Sequence, residues 1–228
     1  MICRTREQRA PSPTGGAESA EFEGGDPGIG GDRVVGRGYD WSVPTLLEIE
    51  AEARTCVRCP LSEGRTQVVF GVGNPNADLM FVGEAPGREE DLKGEPFVGR
   101  AGKLLDQLVM EEMGLTRDSF YVGNVLKCRP PGNRDPKPEE IESCRPYLEK
   151  QIELIDPNVI VTLGNFATKL LLNTTQGITK VRGQTYPYGK ATLVPTFHPS
   201  AALQGGGGDV ISKMRADLVR AKKVLATC

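Results

Sequence analysis

Three polar side chains in this sequence stand where chemistry could be done, each at the point where an apolar run stops. Glu84 follows Leu79, Met80, Phe81, Val82 and Gly83 and opens the turn Glu84-Ala85-Pro86-Gly87, with a further acidic cluster at Glu89, Glu90 and Asp91. Asn124 ends a second apolar run, and its amide donates and accepts at once. His198, the one histidine of the chain, ends another in Phe197-His198-Pro199-Ser200. A lone histidine is ordinarily a hydrogen-bonded core residue. Three polar groups ending three apolar runs on one inferred edge tip the balance toward a site. Phe97, beside Pro96, is either packing or a flat platform for a planar ring.

Cysteines supply a second kind of chemistry. Cys56 and Cys59 have C-x2-C spacing, and Cys128 and Cys144 are separated by fifteen residues. Two thiolates in one turn can share a metal. The second pair lacks the close spacing of a zinc ribbon, so a cluster on four cysteines fits at least as well as zinc, with buried reduced thiols as the plain alternative. The first residues are basic but have no apolar segment behind them, so no secretory signal is expected and the compartment is read as reducing.

These residues need elements to position them. In the first forty residues, nine of the 28 glycines and no apolar periodicity predict a disordered tail, residues 1–40. That tail holds five Lys/Arg and seven Asp/Glu, which leaves 23 of each in residues 41–228. A neutral domain can bind nucleic acid only by segregating its charge. No stretch of eighteen apolar residues offers a membrane span. From Pro44 a helix is expected, then a short extended run at 67–72. Strands are expected near 79–82, 119–125, 159–163 and 192–197, and helices over 103–113, 138–155, 165–173 and 210–226. Near-continuous apolar strands alternating with helices predict an α/β fold: a three-layer sandwich, one domain at 41–228, with a four-stranded parallel sheet flanked by helices.

Taken together, Gly83-Glu84-Ala85-Pro86-Gly87, then GEPFVGRAG at 94–102, GNVLKCRPPGNRDP at 123–136, His198-Pro199-Ser200 and the cysteine spacing resemble the family-4, iron–sulfur branch of the uracil-DNA glycosylases. The resemblance covers residues 41–226. It implies hydrolysis of the N-glycosidic bond of deoxyuridine in single- or double-stranded DNA by a cytoplasmic monomer. It further implies a [4Fe–4S] cluster on Cys56, Cys59, Cys128 and Cys144. The target base would be flipped into a pocket, stacked on Phe97, read by Asn124 and closed in by Ala85, Pro86 and Gly87. His198 would face the anion that forms on the uracil oxygen.

Where this chain has Ala85, the best-known branch of the superfamily has an Asp that holds the attacking water. That task therefore falls to Glu84, with Glu90 second and a water held by the departing anion third. Leu203, followed by Gln204 and four glycines, is the wedge expected in the minor groove. The basic loop of Lys127, Arg129, Arg134 and Lys137 is the expected phosphate contact, Arg129 and Arg134 foremost. A relative that captures uracil-DNA covalently carries GEQPG and a basic insertion that this chain lacks. Two other readings stand beside the hydrolase: a non-catalytic or capturing uracil-DNA binder on the same scaffold, and a small-nucleotide-binding protein with structural zinc.

Overall fold

The computed structural model describes residues 44–228. The disordered tail expected at residues 1–40 lies outside the described residues. Six strands form one mixed sheet: β1 (Val72–Gly73), β2 (Leu79–Gly83), β3 (Tyr121–Asn124), β4 (Val159–Leu163), β5 (Tyr186–Tyr188) and β6 (Ala191–Thr196). Their order is β1-β3-β2-β4-β6-β5. The four inner strands are parallel, and β1 and β5 add antiparallel edges.

The expected sheet of four strands is thus the core of a sheet of six. Both extra strands are too short to carry a periodic pattern. β1 has two residues, and the glycines at 71 and 73 take φ of 156° and 122°. β5 has Pro187 at its centre, which an edge strand tolerates because one face of its backbone needs no donor.

The helices are α1 (Leu46–Arg54), α2 (Leu61–Gly64), α3 (Arg88–Lys93), α4 (Arg100–Met113), α5 (Pro138–Ile155), α6 (Asn165–Leu172), α7 (Ile178–Val181), α8 (Pro199–Ala201) and α9 (Gly207–Ala226). Successive strand residues point to opposite faces, and here both faces are covered. Leu79 and Phe81 pack with Leu105 and Leu108 of α4 and Met214 and Leu218 of α9. Met80 and Val82 pack with Ile49 and Ala53 of α1 and Tyr147 and Leu148 of α5. Burying each such aliphatic or aromatic side chain contributes about 1.5–3 kcal/mol, which is why β2 and β4 read as unbroken apolar runs rather than alternating ones. No helix among the described residues is long and apolar enough to cross a membrane.

From β2 the chain crosses to β3 on one side, and from β3 it returns to β4 on the other. Winding reverses at β2, so a crevice opens outside the carboxyl ends of the inner strands. Register then sets who meets there. Gly83 lies opposite Asn124, and Leu163 opposite Thr196, two residues before His198.

Candidate functional site

Gly83 is the floor of the crevice. A Cβ there would stand 2.4 Å from Asn124 Oδ1 and 2.6 Å from the Phe97 ring, so only glycine lets both side chains cross the end of β2. Asn124 is buried, and its Oδ1 has no hydrogen-bond partner. A buried acceptor left unmade costs about 1–3 kcal/mol, so this oxygen is poised for a donor from outside the chain.

Phe97 is held in place against its own backbone preference. Its φ is 57°, left-handed and costly for an aromatic residue. Three contacts impose it. Arg117 Nη2 donates to the Phe97 carbonyl at 2.7 Å while its Nε pairs with Asp106 Oδ1 at 2.6 Å. Glu90 Oε1 accepts from the backbone N–H groups of Val98 (3.1 Å) and Gly99 (2.9 Å). Gly102 leaves room for the Phe97 carbonyl, which would lie 1.7 Å from a Cβ at that position. The acidic cluster, expected as loop, is therefore the helix α3, and Asp91 is buried in it, accepting from the backbone N–H of Thr66 at 2.9 Å.

The ring of His198 lies 5.7 Å from that of Phe97, tilted by 34°. Its placement follows from local sequence: Pro199 starts the short helix α8, and His198 is its N-cap. Nδ1 accepts from the Ser200 N–H at 3.2 Å and lies 2.7 Å from the Ser200 hydroxyl. An Nδ1 that accepts leaves the proton on Nε2. Burial pushes the His198 pKa down to about 4, with the Glu90 carboxylate partly opposing, so the ring is neutral at pH 7. Glu84 follows Gly83 at the same edge. Burial, and next the Asp135 charge, push its carboxyl up to about 7.

The structure thus brings Asn124 and the Phe97 ring together over Gly83, with His198 beside that ring and Glu90 on the amides that follow Phe97; Gly87 lies against Glu90, since a Cβ there would be 2.7 Å from Oε2. Ala85 packs instead against the α1–α5 core, and Pro86 is buried.

Cys56, Cys59, Cys128 and Cys144 line one pocket, together with Arg65, Lys127 and Tyr147. Arg65 donates to the Cys56 carbonyl at 2.7 Å and to Cys128 Sγ at 3.4 Å. Burial pushes the Cys144 thiol up to about 11 and raises Cys128 as well. Among the described residues no three His, Cys, Asp or Glu side chains converge as one metal ion would need.

Of the residues expected to face DNA, Leu203 is exposed. Arg129 Nε donates to Asn133 Oδ1 at 2.6 Å. Arg134 spends its guanidinium on a two-point pair with buried Glu140, at 2.9 and 2.5 Å.

Comparison with known proteins bears directly on this arrangement. Residues 70–221 match the family model of the uracil DNA glycosylase superfamily. The chain belongs to that superfamily. It is 50% identical to the type-4 uracil-DNA glycosylase of Archaeoglobus fulgidus, over 70% of this chain and 83% of the relative. It is 49% identical to that of Sulfurisphaera tokodaii, over 70% of this chain and 76% of the relative. The type-4 enzyme of Thermotoga maritima is 45% identical over 79% of this chain and 95% of its own length.

Several residues that shape the site of this superfamily member escape sequence reasoning. Arg117 stands in an exposed-looking Thr-Arg-Asp stretch, and nothing local marks it as the clamp on Phe97. Gly102 sits inside a helical run, where an isolated glycine costs stability and so signals a close backbone approach. Ser200 could have been found, because a hydroxyl two residues after a histidine at a helix start can return to its ring.

Proposed function

We propose that this chain removes uracil from single- or double-stranded DNA as a monomer, hydrolysing the N-glycosidic bond to leave an abasic site, and that its four pocket cysteines hold a [4Fe–4S] cluster. The observation that carries the first part is the buried, unpartnered Oδ1 of Asn124 beside the Phe97 ring. The uracil N3–H is the donor it lacks, and Nδ2 can in turn donate to O4. Cytosine presents the opposite pattern at both positions. Reaching this pocket requires the nucleotide to leave the base stack, with Phe97 receiving the face of the flipped ring.

When the C1′–N1 bond breaks, its electron pair stays with the base and C1′ takes on oxocarbenium character. Neutral His198 can donate its Nε2–H to the uracil oxygen where that charge collects, without having to give up the proton. Water then adds at C1′. Glu84, ionised, would orient that water and accept its proton, while Glu90 is committed to the amides that hold Phe97. The backbone of Ala85, Pro86 and Gly87 would close the rim, with the Ala85 side chain turned to the core. Leu203 would fill the space left by the flipped base, and Arg129 would meet a phosphate, with Arg134 adding charge from beside Glu140.

The cysteine pocket fits the cluster. In a cubane each iron takes one protein thiolate, so four sulfurs should surround a space rather than meet at a point, and Arg65 and Lys127 supply positive charge beside it. The cluster would supply a cross-link between the segment after α1, the loop after β3, and α5.

Incubation with a single-stranded oligonucleotide containing one deoxyuridine, followed by hot alkali, tests the proposal. Strand scission and about four irons per chain are expected. A stable adduct or an intact strand overturns the activity, and a single zinc overturns the cluster. Asn124→Asp removes the donor to O4, so it should weaken uracil excision and relax rejection of cytosine.

A further inference from the structure

Lys127 is among the largest fully buried side chains of the protein, yet among the described residues no carboxylate pairs with it. Its Nζ donates to the backbone carbonyl of Asn124 at 2.7 Å and to Gln151 Oε1 at 2.5 Å. It also directly precedes Cys128 in the chain and helps line the pocket that the four cysteines share. Gln151 is itself fixed, donating to the Phe70 carbonyl at 2.9 Å and to the Tyr121 hydroxyl at 3.1 Å. A single residue therefore touches both the cysteines and the residue whose amide faces the base.

A buried ammonium without a counter-charge is destabilising, because burial strips its hydration. Four thiolates around a cubane carry net negative charge, and buried charges and hydrogen bonds around such a cluster tune its potential. We propose that Lys127 is a positioning residue that ties the two sites together: its ammonium balances the charge of the cysteine-held cluster, and its hydrogen bond fixes the Asn124 backbone from which the base-reading amide projects. This rests on the functional reading above. Its consequence is that the cluster, remote from the reacting bond, still bears on how well uracil is held.

Two substitutions in the iron-loaded protein separate charge from hydrogen bond. Lys127→Met removes both. The cluster potential, followed by bleaching of its visible band, should move to more negative values, because the reduced cluster loses a neighbouring positive charge. KM for a uracil-containing single strand should rise by about ten- to a hundredfold, the usual effect of losing a hydrogen bond from a charged group, with kcat changed much less. Lys127→Gln keeps a donor and drops the charge, so the potential should still fall while KM stays near the parental value. Unchanged potential and KM in Lys127→Met overturn the proposal. If that variant does not accumulate, an unchanged potential in Lys127→Gln does so. Failure of the functional reading looks different: the parent protein itself would lack iron or leave uracil-DNA intact.

Discussion

Glu84 should give the reaction its pH dependence. Burial, with Asp135 adding to it, raises the carboxyl from 4.5 to about 7. In the proposed reaction the acting form is the carboxylate, so the rate should rise as pH passes through that value. At pH 6 about a tenth of the population is ionised and at pH 8 about nine-tenths, a roughly tenfold increase in rate across the window. His198, at about 4, stays neutral throughout and adds no slope. Single-turnover rates with enzyme in excess are the measure, because they exclude release of the abasic product. Glu84→Gln should lower the rate by about 10²–10⁴-fold and flatten the profile. Asp135→Asn should move the inflection to lower pH. A parental profile already flat between pH 6 and 8, or a slope that survives in Glu84→Gln, would refute the assignment.

Two further outcomes are expected. His198→Ala should slow the single-turnover step by about a hundred- to a thousandfold, the typical loss of one oxyanion donor, while binding to uracil-free DNA, read by anisotropy, stays parental. Gly102→Ala drives a Cβ into the Phe97 carbonyl, a backbone atom. It should destabilise the fold by about 1–3 kcal/mol, visible as a lower Tm, and raise KM for uracil-DNA as the ring is displaced.

Much of this was legible from residue patterns because burial on both faces leaves a strong trace. β4 and α5 begin and end where their apolar runs and the Pro138 start signal say they should. The site's edge was also legible, since glycine and polar residues end each inner strand. The hidden parts depend on long-range contacts. Arg134 belongs to a basic loop in sequence, but the fold turns it onto Glu140 at the start of α5, a pairing that composition cannot announce. Glu90 and Asp91 read as loop acids, whereas helix α3 aims them at backbone amides of neighbouring segments. Phe97 was visible as an aromatic beside Pro96. Its left-handed backbone was not, because the residues that impose it, Arg117 and Gly102, lie twenty and five positions away.

Leu203 and His198 are five residues apart, yet the chain between them is not one rigid piece. α8 ends at Ala201, and in the π-type turn that follows Gln204 and Gly205 leave helical geometry, with φ of −98° and 112°. His198, by contrast, is anchored to Ser200 within α8. Motion of Leu203 in the wedge role proposed for it therefore need not disturb the imidazole. On that proposal, searching along DNA and cleaving the bond would be kinetically separable steps: a stiffer turn at 204–205 would alter how often the protein probes the duplex without altering how fast a captured base departs.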